Sequence, residues 1–82
     1  MHMAANIDQQ VIDLLVDITG EEEIGDYRDT DLFEEGVLDS LGAIELLVSL
    51  KEEFGVSIAP TELEREEMNT VNLIIERVQE RL

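Results

Sequence analysis

The sequence predicts an all-α domain on three observations. Four segments place apolar residues at helical intervals, no five-residue stretch alternates as a strand would, and cap-type residues stand ahead of the helical runs. The expected architecture is a four-helix bundle of three longer helices and one short one, with a long loop between the first and second. Ile7, Val11, Leu14, Leu15 and Ile18 share one face of a first helix over about Ile7 to Thr19, with Asn6 as its cap and Gly20 as its stop; its other face reads as polar. From Glu21 to Asp39 runs a connection holding Gly25, Gly36 and many acids. Its irregularly spaced Ile24, Tyr27, Leu32, Phe33, Val37 and Leu38 are expected to tack it onto the bundle, and a connection of this length points to crossover topology or to function.

The second helix, about Ser40 to Phe54, carries two apolar rows. Ala43, Leu47, Leu50 and Phe54, with Leu46 beside them, form the row that a single core needs. Leu41, Ile44 and Val48 form another, which either completes a fully buried helix or stays exposed as a docking ridge rimmed by Asp39, Glu45 and Glu52. Gly55 stops the helix. After Val56-Ser57-Ile58-Ala59, the capping-box spacing of Thr61-Glu62-Leu63-Glu64 predicts a short third helix from Pro60 or Thr61 to Met68, with Leu63 and Met68 turned inward. The last helix starts at Asn69 or Thr70 and aligns Val71, Ile74, Ile75, Val78 and Leu82, while Arg77 and Arg81 near its end complement the dipole.

At 82 residues the chain makes one domain, with Met1-His2-Met3 read as a cloning scar and residues 4–82 as the domain. A chain this short buries about 60–65% of its unfolded surface, too little for a deep catalytic cavity. The formal charge of −16, from 21 acids against 5 bases, excludes nucleic acid and adhesion to anionic lipid, so partners should present basic patches. Self-repulsion on that scale also opposes compaction. There is no cysteine, hence no disulfide framework and no thiolate metal site. No run approaches the roughly 20 apolar residues of a membrane span and no signal peptide is apparent, so a cytoplasmic chain without direct membrane insertion is expected.

The run Phe33-Glu34-Glu35-Gly36-Val37-Leu38-Asp39-Ser40-Leu41-Gly42-Ala43-Ile44-Glu45 carries the chemistry. Gly36 suits a turn, Asp39 and Ser40 are both good N-cap types, and Ser40 therefore sits where backbone N–H groups and the helix dipole favour an attached phosphate. A serine hydroxyl needs a base to become a nucleophile, and the only histidine is His2, in the scar. Self-contained catalysis is thereby excluded, and Ser40 reads as a substrate for another enzyme. An isolated Asp-Ser pair before a helix is more often just a cap; the length and placement of the whole run favour modification. Asp39 can cap the helix, meet the modifying enzyme, or do both. A calcium-loop reading that starts at Asp31 puts Gly36 correctly at the sixth position but fails at Phe33 and Gly42, which occupy places that need oxygen ligands.

Leu38-Asp39-Ser40-Leu41 followed by Ile44-Glu45-Leu46 resembles the modification site of acyl and peptidyl carrier proteins. The wider run Phe33 to Gly42, with Thr61-Glu62-Leu63-Glu64-Arg65 and Asn69-Thr70-Val71-Asn72, is similar to the D-alanyl carrier proteins of teichoic acid D-alanylation, and the likeness spans roughly Val11 to the end. It implies an acyl-carrier-like fold that is not itself an enzyme, with 4′-phosphopantetheine from coenzyme A attached to Ser40 and D-alanine held on it as a thioester. It also implies three partners: a phosphopantetheinyl transferase, an adenylating ligase that activates D-alanine, and a membrane-embedded D-alanyl transfer protein. Asp39, Leu41, Ile44, Glu45 and Val48 are the expected partner-recognition residues, on a monomeric carrier. Gly42 stands where other acyl carriers commonly have an acid, in agreement with the D-alanyl group. The alternatives are a carrier for fatty-acid, polyketide or nonribosomal peptide synthesis, and a small acidic interaction module without a prosthetic group.

Overall fold

The computed structural model describes residues 7–82, so Asn6 as a cap and the scar at Met1–Met3 lie outside the described residues. Three α-helices form: α1 (Ile7–Thr19), α2 (Ser40–Phe54) and α3 (Val71–Glu80), with single 3-10 turns at Ile24–Asp26 and Arg65–Glu67 and no strand among the described residues. All three helices pack on one core of Val11 and Leu15 from α1, Leu46, Leu47 and Leu50 from α2, and Val71, Ile74, Ile75 and Val78 from α3. The long connection between α1 and α2 adds Ile24, Leu32 and Leu38 to that core, with Tyr27, Phe33 and Val37 half-buried against it. Its irregular apolar residues therefore do hold the loop down.

Three expectations are corrected. The short third helix from Pro60 or Thr61 to Met68 is absent: the segment makes one 3-10 turn, Arg65–Glu67, so three α-helices rather than four pack together among the described residues. Two features explain this. Leu63 and Met68 are five residues apart and cannot share a helical stripe, and Glu62, Glu64, Glu66 and Glu67 crowd one short stretch, which makes the costly first turn harder to nucleate. The predicted Thr61–Glu64 box gives way to two closures of the same span on either side of it, Ala59 N–H to Glu62 Oε1 at 3.0 Å and Glu64 N–H to Glu67 Oε1 at 2.8 Å. With the Ala59 N–H and then Arg81 donating to it, the Glu62 carboxyl is held below the usual carboxylate range. Met68 is nevertheless buried and Leu63 half-buried, as their inward orientation required.

Leu82 is the second correction. It is 63% exposed, because α3 ends at Glu80 and the position one further turn along the stripe falls outside the helix. The third concerns α1, whose outer face is less polar than expected. Ile12 and Val16 are half-buried against the core, and Ile12 lies so close to Gly25 that a Cβ there would sit 3.3 Å from its Cγ2. At Gly25 the long loop packs on Ile12, a contact that helical periodicity alone does not register.

Candidate functional site

Ser40 is the first residue of α2 and is exposed. Of the two cap candidates, Asp39 takes the role: its backbone is extended, and its Oδ1 accepts the Gly42 N–H at 2.7 Å. That leaves the Ser40 side chain one step inside the helix and uncommitted, since no side-chain hydrogen bond among the described residues uses its hydroxyl. The first N–H groups of any helix lack intrahelical acceptors, and here the cap satisfies Gly42 while no hydrogen bond among the described residues uses the N–H groups of Ser40 and Leu41. An exposed, unpaired hydroxyl beside two free donors at a dipole's positive end fits a phosphodiester on Ser40 Oγ.

The approach to Ser40 is built by the loop. Asp31 Oδ1 accepts the N–H groups of Phe33 (3.0 Å) and Glu34 (3.1 Å), and the Leu32 carbonyl accepts those of Val37 (2.9 Å) and Leu38 (3.1 Å). The chain reverses between these points at Gly36, whose φ of 74° lies in the left-handed region that a side chain disfavours. Leu38, the residue before the cap, is only 2% exposed and anchors the chain there. Asp31, weighed above as a calcium ligand, is thus used as a turn-forming acceptor. Among the described residues no group of three or more His, Cys, Asp or Glu is placed to hold a metal ion.

Gly42 has a steric explanation that its sequence position did not disclose. It is buried, and a Cβ there would lie 3.0 Å from Leu38 Cδ1 and 3.3 Å from Asp39 Oδ1. A side chain at this position would press on both the cap and its anchor.

The second apolar row of α2 is exposed. Leu41 is 70%, Val48 53% and Ile44 44% accessible, so none of the three belongs to the core, and Glu45 is exposed beside them. Ser40, Ile44, Leu47, Val48 and Lys51 recur at intervals that share a helix face. Four of them, Ile44 to Lys51, wall an open apolar groove of about 520 Å³ that the segment through Ile58 and Pro60 closes on its far side. Serine, cap, acid and apolar ridge are therefore brought together on one end and one flank of α2.

Residues 9–78 match the family described as the phosphopantetheine attachment site. The D-alanyl carrier protein of Lactococcus lactis subsp. cremoris is 47% identical over 73 residues, covering 89% of this chain and 92% of its own length. The chain belongs to the D-alanyl carrier proteins, within the phosphopantetheine-attachment family. The D-alanyl carrier proteins of Bacillus velezensis (40% over 72 residues, 88% of this chain and 92% of theirs) and Enterococcus faecalis (39% over 74 residues, 90% and 95%) are similarly close. As a member of this family the chain is a carrier rather than a catalyst, and its cofactor is covalent 4′-phosphopantetheine.

Two polar clasps near this site escaped the sequence reading. Asn69 Nδ2 donates to Asp31 Oδ2 at 2.9 Å; Asn72 accepts from Arg28 Nε at 2.8 Å and donates to Asp29 Oδ1 at 2.7 Å. Arg28 also pairs with Asp8 of α1 at 2.7 Å. The signal available in sequence was a pair of asparagines three apart at a helix start, in a chain where acids otherwise dominate the polar surface.

Proposed function

We propose that Ser40 is the attachment residue and that the chain carries D-alanine for teichoic acid D-alanylation. The observation that supports it best is the free, exposed Ser40 hydroxyl one residue inside a helix already capped by Asp39. In the attachment step the Ser40 oxygen forms a bond to the phosphorus of coenzyme A's pantetheine phosphate. The bond from that phosphorus to the nucleotide breaks, and the hydroxyl proton passes to a base of the transferase. When bound, the group supplies a terminal thiol that holds an acyl residue on a flexible arm. The chain's own contribution is placement: the loop through Leu38 and the start of α2 together hold the attachment oxygen, and the first-turn N–H groups and dipole of α2 stabilise the phosphodiester.

Leu41, Ile44 and Val48 form the recognition ridge, with Asp39 and Glu45 as the acids that meet basic groups on a transferase and on an adenylating, D-alanine-activating ligase. A membrane-embedded transfer protein is the onward recipient. No helix among the described residues is long and apolar enough to cross a membrane, and the reading places the carrier in the cytoplasm as a monomer, with residues 4–82 as one acyl-carrier-like domain whose short helix is reduced to a 3-10 turn.

Intact-mass measurement tests this directly. With a broad-specificity transferase and coenzyme A the protein should gain one phosphopantetheine group, and Ser40→Ala should gain none. The holo form, given ligase, ATP and D-alanine, should then gain one alanyl residue. Loading of a fatty or other amino acid in preference to D-alanine would redirect the cargo assignment, and modification of Ser40→Ala would end the site assignment.

A further inference from the structure

The loop that delivers Ser40 is fastened to the start of α3 by the two clasps, and they differ in where they lead. The Asn72 clasp holds Arg28 and Asp29, and the Asn72 N–H donates to the Arg28 carbonyl at 3.1 Å. It ends there. The Asn69 clasp holds Asp31 through its side chain, and its carbonyl accepts the Leu32 N–H at 2.7 Å. From Leu32 the bonding continues, because the Leu32 carbonyl takes the N–H groups of Val37 and Leu38, the last two residues before the cap and Ser40.

Leu32 and Leu38 are also buried apolar anchors, so the loop would stay attached without the clasp. Apolar burial, however, is non-directional: it fixes depth and leaves rotation about the buried axis weakly constrained. Hydrogen bonds are directional, and bonds to a carboxylate are the stronger kind. The Leu32 peptide is gripped on both its N–H and C=O sides, and Asp31 is gripped on both carboxylate oxygens, so the turn from Asp31 to Leu38 has its orientation set from α3.

We propose that Asp31 and Asn69 are positioning residues for the attachment reaction: the clasp sets the angle at which the loop presents the Ser40 hydroxyl. This rests on Ser40 as the attachment residue. Neither side chain touches the hydroxyl; both act through Leu32 and the two N–H groups it accepts. A misplaced nucleophile loses rate after binding, whereas the ridge on α2 that would bind the transferase is untouched, so the loss belongs in kcat.

The test is transferase kinetics with coenzyme A at a temperature where circular dichroism shows every variant folded. Asn69→Asp sets two carboxylates against each other and opens the clasp. Combining it with Asp31→Asn exchanges donor and acceptor, restores the bond, and leaves an amide oxygen for the Phe33 and Glu34 N–H groups. Asn72→Ala removes the other clasp as the comparison. Expected is a fall in kcat on the order of tenfold for Asn69→Asp with little change in KM. The double exchange should recover most of it, and Asn72→Ala should match wild type. Amide exchange at Val37 and Leu38 should quicken in Asn69→Asp alone. Should Asn69→Asp not fold, Asn69→Ala deletes the donor without adding charge. Unchanged kcat, equal losses in the Asn69 and Asn72 variants, or no recovery in the double exchange would each overturn the proposal. Failure of wild type to accept any group would instead overturn the attachment reading.

Discussion

At the scale of single residues, the site depends on a division of labour between neighbours. Asp39 and Ser40 are interchangeable as cap types, and the structure assigns the cap to Asp39, which leaves the serine hydroxyl without a capping bond. Tyr27 shows how the acidic loop alters a side chain that no motif contains. Partial burial of its ring, then the hydrogen bond from its hydroxyl to Glu21 at 2.8 Å and the charges of Glu21, Glu23 and Asp26, push its pKa up to about 12 from 10.0. The folded state thus holds the phenol proton more tightly than the unfolded chain does. The resulting stability is fully present below pH 10 and is lost as pH climbs from there to about 12. Urea titrations across that range should show a falling midpoint for wild type and a flatter one for Tyr27→Phe. Parallel slopes would mean that the tyrosine has no part in the alkaline loss.

At the scale of elements, α2 serves two masters on two faces. Leu46, Leu47 and Leu50 are buried, while Leu41, Ile44 and Val48 stand in solvent on the flank that leads away from Ser40. Leu46→Ala should therefore cost about 2–5 kcal/mol in chemical denaturation. Val48→Ala, at a half-exposed position, should cost no more than about 0.5 kcal/mol yet lower kcat/KM with the transferase or ligase. A large stability loss at Val48 with normal kinetics would make it a packing residue. The two rows, and which of them serves the core, were visible in the sequence, because helical spacing sorts residues by face; whether the second row is buried as well was not, because an apolar row suits either a buried helix or an exposed ridge. The opposite failure occurred between Pro60 and Met68. There a capping-box spacing looked helical, but local signals could not outweigh the absence of a continuous apolar stripe.

For the whole molecule the dominating quantity is charge. Twenty-one acids on 82 residues face only five bases, and the ion pairs among the described residues are mostly small surface pairs such as Arg28–Asp8 and the Arg77 and Arg81 contacts with Glu76, Glu80 and Glu62. Such pairs contribute little individually, so the residual repulsion is left to the solvent ions. The melting temperature should rise with added sodium chloride, and further with magnesium. A flat response across the salt series would show that repulsion is already relieved within the fold. A field of this sign favours the approach of basic surfaces over that of nucleic acid.

The helix class, the bounds of α1 and α2, the apolar loop anchors and the placement of Ser40 at a helix start could all be read from residue order, because each rests on spacing or on backbone preference within a few neighbours. The exposure of the ridge, the lack of room at Gly42, the loop cover over Ile12 and the Asn69–Asp31 clasp could not. Each of these depends on how side chains pack in three dimensions, across the long loop, between helices or over an apolar face, and only the packed arrangement of α1, α2, α3 and the long loop resolves such choices.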